Sequence, residues 1–243
     1  MNDLKGKVAL VTGSAQGIGK AIALLLCEHG ATSVIADLNV AAAEETAAEF
    51  KALGHAAVAM DIDVSSPESI TATIEKIGAE LGGVDILVNN AGIISATPIP
   101  EMTVEQWDRT INIDLRGAHL CSQAACRQMV EKKWGRIIFI GSLAGQVGGL
   151  KVGPDYSAAK AGAICLAKSY ARYGARLGIT ANAVCPGLIE TPMTAGRDDP
   201  NEVLIGRLGT PEDIAKAVYF LVSDLGDYVT GATIDVNGGH LMR

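Results

Sequence analysis

Apolar positions along the chain fall into two alternating regimes. Short, nearly continuous apolar runs have the length and β-branched content of strands buried on both faces: "KVALVT" (7–12), "TSVIAD" (32–37), "AAVAMDI" (56–62), "VDILVNN" (84–90), "GRIIFIGS" (135–142), "ITANAVCP" (179–186) and "ATIDVNGG" (232–239). Each run but the last is followed by helical apolar spacing, directly or after a loop. Repeated strand-then-helix order predicts an α/β fold: a doubly wound parallel sheet of about seven strands with helices on both faces. No internal repeat, low-complexity tract or linker interrupts 1–243, so a single domain is predicted. A chain of 243 residues with 49% hydrophobic content buries a sizeable core.

Polar punctuation agrees with these elements. Ser65-Ser-Pro-Glu68 and Thr103-Val-Glu-Gln106 fit capping boxes, Pro67 and Pro211 suit first helical turns, and Gly30 and Gly54 suit helix ends. The patch "AGRDDPN" (195–201) reads as a lid-like loop rather than a domain boundary.

Composition removes several function classes. A net charge of −7 with no clustered cationic face speaks against a nucleic-acid partner. The N-terminal apolar stretch is too short and too early for a signal peptide, and no later apolar span suffices to cross a membrane, so a cytoplasmic protein is expected. The five cysteines, Cys27, Cys121, Cys126, Cys165 and Cys185, lack zinc-ligand spacing and read as reduced core residues. Cys121 and Cys126 are five apart on one helix and do not share a face. The four histidines are scattered, and no metal site is expected.

Candidate chemistry starts at Gly13, Gly17 and Gly19, which follow a predicted strand and open a predicted helix. That placement aims unpaired backbone N–H groups and a positive helix end at an anion such as a pyrophosphate, although a tight turn alone would explain the glycines equally well. Asp37 ends the second strand, eighteen positions past Gly19, where a carboxylate accepts both hydroxyls of an adenosine ribose and repels a 2′-phosphate. Together these features favour a dinucleotide, and NAD over NADP.

The chain resembles the short-chain dehydrogenase/reductase family, in particular its 3-oxoacyl-(acyl-carrier-protein) reductase-like branch. The resemblance spans the whole chain and rests on Thr12-Gly-Ser-Ala-Gln-Gly-Ile-Gly19, Asp63-Val64, Asn89-Asn-Ala-Gly92, Asn112, Ser142, Tyr156-Ser-Ala-Ala-Lys160, Pro186-Gly187 and Thr191-Pro-Met-Thr194. It implies a Rossmann-type domain, usually a homotetramer, in which Asn112, Ser142, Tyr156 and Lys160 serve hydride transfer between nicotinamide and a carbinol or carbonyl carbon. It further implies cofactor contacts from Gly13, Gln16, Gly17, Ile18 and Gly19 and from Asp37. Asp63 and Val64 would meet the adenine, and Asn89, Ala91 and Gly92 would lie beside the adenosine ribose. Tyr156, Lys160, Pro186, Gly187 and Ile189 complete the set, with Thr191 as the carboxamide anchor.

The chemistry stands without the family name. A tyrosine with a pKa of about 10 is too weak a base near neutrality. Lys160, four positions on, shares a helical face with Tyr156, and its ammonium favours phenolate. Ser142 at a strand end is placed to donate to the substrate oxygen, and Asn112 to hold a water that relays the proton through Lys160. Singly, each has an ordinary structural reading: a surface Tyr/Lys pair, a strand-end cap, a helix-interior amide. Two function classes follow, an alcohol/ketone oxidoreductase and a catalytically silent dinucleotide-binding protein.

Substrate signals are weaker. The walls expected are Ile93, Ile94, Leu143, Ala144, Val147 and Leu188, mostly apolar. Against the 3-oxoacyl reductase branch, "LAGQVGGLKVGPD" (143–155) is one residue longer and the lid over 191–209 several residues shorter, which suits a small or polar substrate. That branch also shows two basic residues near the site's mouth for docking acyl carrier protein. Lys133 matches the first, Leu177 replaces the second, and Arg176 stands next to it. A small-molecule alcohol or ketone is therefore the expected partner, with 3-oxoacyl-thioester reductase on acyl carrier protein or CoA as the alternative, and sugar, polyol and hydroxysteroid dehydrogenase open within the same class.

Overall fold

The computed structural model describes residues 3–149, 151–191, 196 and 199–242. Strands β1 (Val8–Thr12), β2 (Thr32–Asp37), β3 (Ala57–Asp61), β4 (Ile86–Asn89), β5 (Gly135–Ile140), β6 (Ile179–Pro186) and β7 (Thr233–Val236) form one sheet, in the order β3-β2-β1-β4-β5-β6-β7. Every pairing is parallel. The predicted seven-stranded, doubly wound domain is thus what forms.

Side chains alternate strictly across the sheet. Leu10, Val34, Leu87, Ile137 and Phe139 pack under α3 (Pro67–Leu81), α5 (Ala118–Lys132) and α7 (Pro154–Gly174). Their neighbours Ala9, Val11, Ile35, Ile86, Val88, Ile138 and Ile140 pack under α1 (Gly17–Glu28), α2 (Val40–Ala52) and α8 (Pro211–Val222). With both faces covered, a central strand is apolar at most of its positions, and so the strands read as nearly unbroken runs.

Local signals set most boundaries. Thr103 and Gln106 complete the expected capping box of α4 (Val104–Ile111). The box expected at Ser65 does not form: Ser66 caps α3, its Oγ accepting from Ser69 N at 3.2 Å, and Glu68 accepts from the Ser66 hydroxyl instead. Pro67 decides the difference, because a proline without an N–H is suited to the first helical position and makes the preceding residue the extended cap. Gly30 and Gly54 follow the ends of α1 and α2 with φ of +95° and +88°. Cys27, Cys121, Cys126 and Cys185 are buried, and burial pushes the Cys121 thiol up to about 12. Cys165 departs from the expected core set, lying exposed on the solvent side of α7. Among the described residues no helix is long and apolar enough to cross a membrane.

Candidate active site

The strand order reverses between β1 and β4, where the chain leaves β1 toward one edge and returns from β3 to begin the other half. The crevice outside the carboxyl ends at such a switch point is where α/β sheets bind ligands. A cavity of about 580 Å³ opens there.

Thr12 and Asn90 stitch its floor. The Thr12 hydroxyl accepts from Asn90 N and Ala91 N, both at 3.1 Å, and the Asn90 amide donates to Thr12 O at 2.9 Å and Gly13 O at 2.8 Å. Gly13 and Gly17 have φ of +63° and +57°, the left-handed region where a side chain is strained. Gly19 is required by packing: a Cβ there would stand 2.6 Å from the Asn90 amide nitrogen and closer still to Gly13 O. Gly19→Ala is expected to cost about 1–3 kcal/mol by overpacking, or about 2–4 °C of Tm per kcal/mol. Thermal unfolding checks this, and an unchanged Tm would show that the loop yields.

The loop fits a dinucleotide. Gln16 precedes α1 without a side-chain cap, so the first N–H groups of that 12-residue helix stay open toward the cavity. At Gly17 a Cβ would meet nothing within 4 Å, the open space a phosphate needs. Asp37 lies at the rim, one oxygen accepting from Ala15 N and the other from Asn39 N, each at 3.0 Å.

The remaining expected residues sort plainly. Ile18, Asp63, Val64, Ala91 and Gly92 line the cavity, as do Pro186, Gly187, Ile189 and Thr191. The continuation of the Thr191 motif, positions 192–194, lies outside the described residues. Asn89 is buried away from the cavity, its amide donating to Ser122 Oγ at 2.9 Å, and Asn90 takes the place at the wall. Asn112 is likewise not at the wall; two residues on, Asp114 is.

Ser142, Tyr156 and Lys160 meet at the other end. Ser142 leaves the end of β5 and its Oγ accepts from Ala144 N at 3.1 Å, which keeps the hydroxyl proton available to donate. The Lys160 Nζ lies 5.4 Å from the centre of the Tyr156 ring, donates to Ile140 O at 3.3 Å and pairs with Asp114 at 3.1 Å. Asp114 belongs to a π-helical turn, Asn112–Gly117, that joins α4 to α5. Such turns re-aim side chains within an otherwise regular helix.

All six expected wall residues line the cavity. Sequence reasoning missed their polar company: Lys151 pairs with Glu202 at 2.6 Å, with Arg109 and His240 in the same wall. The pair joins the long 143–155 segment to the lid, whose base is held by Gly209 N donating to Leu188 O at 2.9 Å. Positions 192–195, 197 and 198 of that lid lie outside the described residues. Lys133 and Leu177 stand at the starts of β5 and β6, where Gly135 N donates to Gly178 O. That is the edge of the sheet opposite the cavity, so within one chain they do not flank its mouth as expected. Strand direction dictates this, since six residues of β5 carry the chain about 20 Å toward Ser142.

A glycine loop at the switch point of a parallel sheet, opening into a cavity walled by serine, tyrosine and lysine, defines a Rossmann-like oxidoreductase. The family model described as enoyl-(acyl carrier protein) reductase matches residues 13–240, and the chain belongs to this family of short-chain dehydrogenases/reductases. It is 44% identical, over 99% of both chains, to the 3-oxoacyl-(acyl-carrier-protein) reductase FabG of Vibrio harveyi. It is 39% identical, over 97% of both, to the (2S)-((R)-hydroxy(phenyl)methyl)succinyl-CoA dehydrogenase subunit BbsD of Thauera aromatica. The crystal structure of a putative gluconate dehydrogenase from Agrobacterium tumefaciens superposes with a TM-score of 0.95 at 35% identity, covering 99% of this chain and 98% of that one. Of the two classes raised by the sequence, membership selects the enzyme: an oxidoreductase acting on CH–OH or ketone groups.

Proposed function

We propose that the protein is an NAD-dependent dehydrogenase/reductase interconverting a small secondary alcohol and its ketone, with Tyr156 as acid and base. The observation that carries this is one cavity walled at one end by the glycine loop and Asp37 and at the other by Ser142, Tyr156 and Lys160. When bound, the nicotinamide dinucleotide supplies the hydride acceptor or donor. Tyr156 as phenolate takes the hydroxyl proton in oxidation and returns it in reduction. The Lys160 ammonium near its ring favours the phenolate, and the Ser142 hydroxyl steadies the substrate oxygen. Apolar walls beside the Lys151–Glu202 pair suit a substrate with a short alkyl portion and a polar tail. A cytoplasmic homotetramer belongs to the same reading; exposed Val104, Trp107 and Tyr173 supply apolar surface on α4 and α7 for a partner.

A second reading, a 3-oxoacyl-thioester reductase, is favoured by the name of the Vibrio harveyi relative. One panel separates the two. NADH absorbance is followed with small secondary alcohols and ketones, a free 3-oxoacyl thioester and the same acyl group on acyl carrier protein, at fixed and then rising salt. The expected result is turnover of small substrates with no advantage for the carrier-bound group, because net charge −7 repels an acidic carrier and Lys133 and Arg176 lie across the sheet from the cavity. A large carrier advantage that salt abolishes would establish the second reading.

A further inference from the structure

We propose that Asp114 is the positioning residue that keeps Lys160 an ammonium ion beside Tyr156. The resemblance assigns service of this lysine to an asparagine, a neutral amide; the residue the fold brings to it is a carboxylate. Asp114 Oδ2 lies 3.1 Å from Lys160 Nζ, with side-chain exposures of 0% and 6%. Its Oδ1 accepts from Ile93 N at 2.8 Å, which fixes the carboxylate to the loop after β4. Among the described residues Oδ2 has no other polar partner, so that ammonium is its one counter-charge. Gly92 closes over the pair: a Cβ there would come 2.6 Å from Oδ2 and 3.1 Å from Nζ.

A lysine this buried and alone would shed its proton, because a low-polarity site disfavours the charged form. Here desolvation, the largest influence and a downward one, is outweighed by the Asp114 charge, then by Tyr156 when ionised, by the hydrogen bond to Asp114 and by Cys185 when ionised, and the lysine's affinity for its proton rises above the ordinary value. The other charged groups do not replace Asp114. Asp155, on the same helix, is held by the Thr110 hydroxyl at 2.6 Å, and Arg109 on α4 carries the wrong sign. Across the cavity mouth, Lys151 and Glu202 pair with each other, and His240 is at most a further cation. The consequence is a lysine that holds its charge beside the Tyr156 ring.

The inference rests on Tyr156 and Lys160 being the working pair, but its test needs no turnover. Lysine labelled at Cε and Nζ is followed by NMR in the free protein across pH, with the Lys160 signal assigned from Lys160→Met. The wild-type midpoint is expected at or above 10.5, the ordinary lysine value. Asp114→Asn, which keeps an oxygen for Ile93 N, is expected to lower it by about one to three units, and Asp114→Glu to restore part of the loss. A wild-type midpoint below 10.5, or an equal midpoint in Asp114→Asn, overturns the proposal, and the first needs no variant to fold. A merely structural Asp114 would lower Tm and leave the midpoint alone. Absence of alcohol turnover would sink the proposed function without moving this midpoint.

Discussion

Tyr156→Phe will reduce turnover by on the order of a hundredfold or more while leaving dinucleotide binding near the wild-type level. The substitution deletes one oxygen, the group proposed to carry the proton, and retains the ring that packs 5.4 Å from Lys160 Nζ. Since the lost interaction is made with a proton in flight, kcat should fall far more than KM rises. Steady-state kinetics on the best substrate of the panel, with fluorescence titration of the dinucleotide, separate the two quantities. Near-native turnover in the variant would remove Tyr156 from the mechanism. A parallel loss of dinucleotide binding would assign the residue to the cofactor site.

What the sequence could and could not convey follows from which forces are local. The central strands were legible because a parallel strand dry on both faces admits few polar residues, and β5, "GRIIFI", is buried at all six positions. The glycine loop was legible because Gly13 and Gly17 need backbone angles that few other residues tolerate. Asn89 and Asn90 look equivalent in a string, but they sit at the end of β4, where successive side chains point to opposite faces; only the second reaches the cavity. Asn112 and Asp114 pose the same problem on a helix. Two residues apart, they lie about 200° apart around a regular helix, and the π-helical turn at Asn112–Gly117 shifts the count again. No spacing rule chooses between them, because the choice is made by the buried partner, Lys160, which is 46 positions away in the chain and on another helix. The Lys151–Glu202 pair is of the same kind, two exposed residues 51 positions apart that become neighbours only when the lid lies over the 143–155 segment.

Wild-type kcat/KM will favour NAD over NADP by at least about tenfold, and Asp37→Asn will narrow that ratio by about tenfold or more. Two like charges 4 Å apart near a protein surface interact by roughly 1–4 kcal/mol, and each 1.4 kcal/mol is tenfold. A 2′-phosphate placed where Asp37 would otherwise accept ribose hydroxyls meets that repulsion. It also meets no compensating cation. The lysines and arginines lining the cavity among the described residues are Arg109, Lys151 and Lys160, on α4, on the segment before α7 and on α7, while the loop and the end of β2 contribute Gln16 and Leu38. Asparagine is the sharper probe than alanine. Asp37 also accepts from Ala15 N and Asn39 N, so alanine would unmake two backbone anchors of the glycine loop together with the charge, whereas asparagine removes the charge and keeps one acceptor. Gln16→Arg added to Asp37→Asn supplies the missing cation from the uncapped start of α1 and should carry the preference past parity toward NADP. The measurement is kcat/KM for both dinucleotides in wild type and the two variants at one ionic strength. A wild type that prefers NADP, or an Asp37→Asn variant whose ratio does not move, would show that this carboxylate organises the loop without selecting the cofactor.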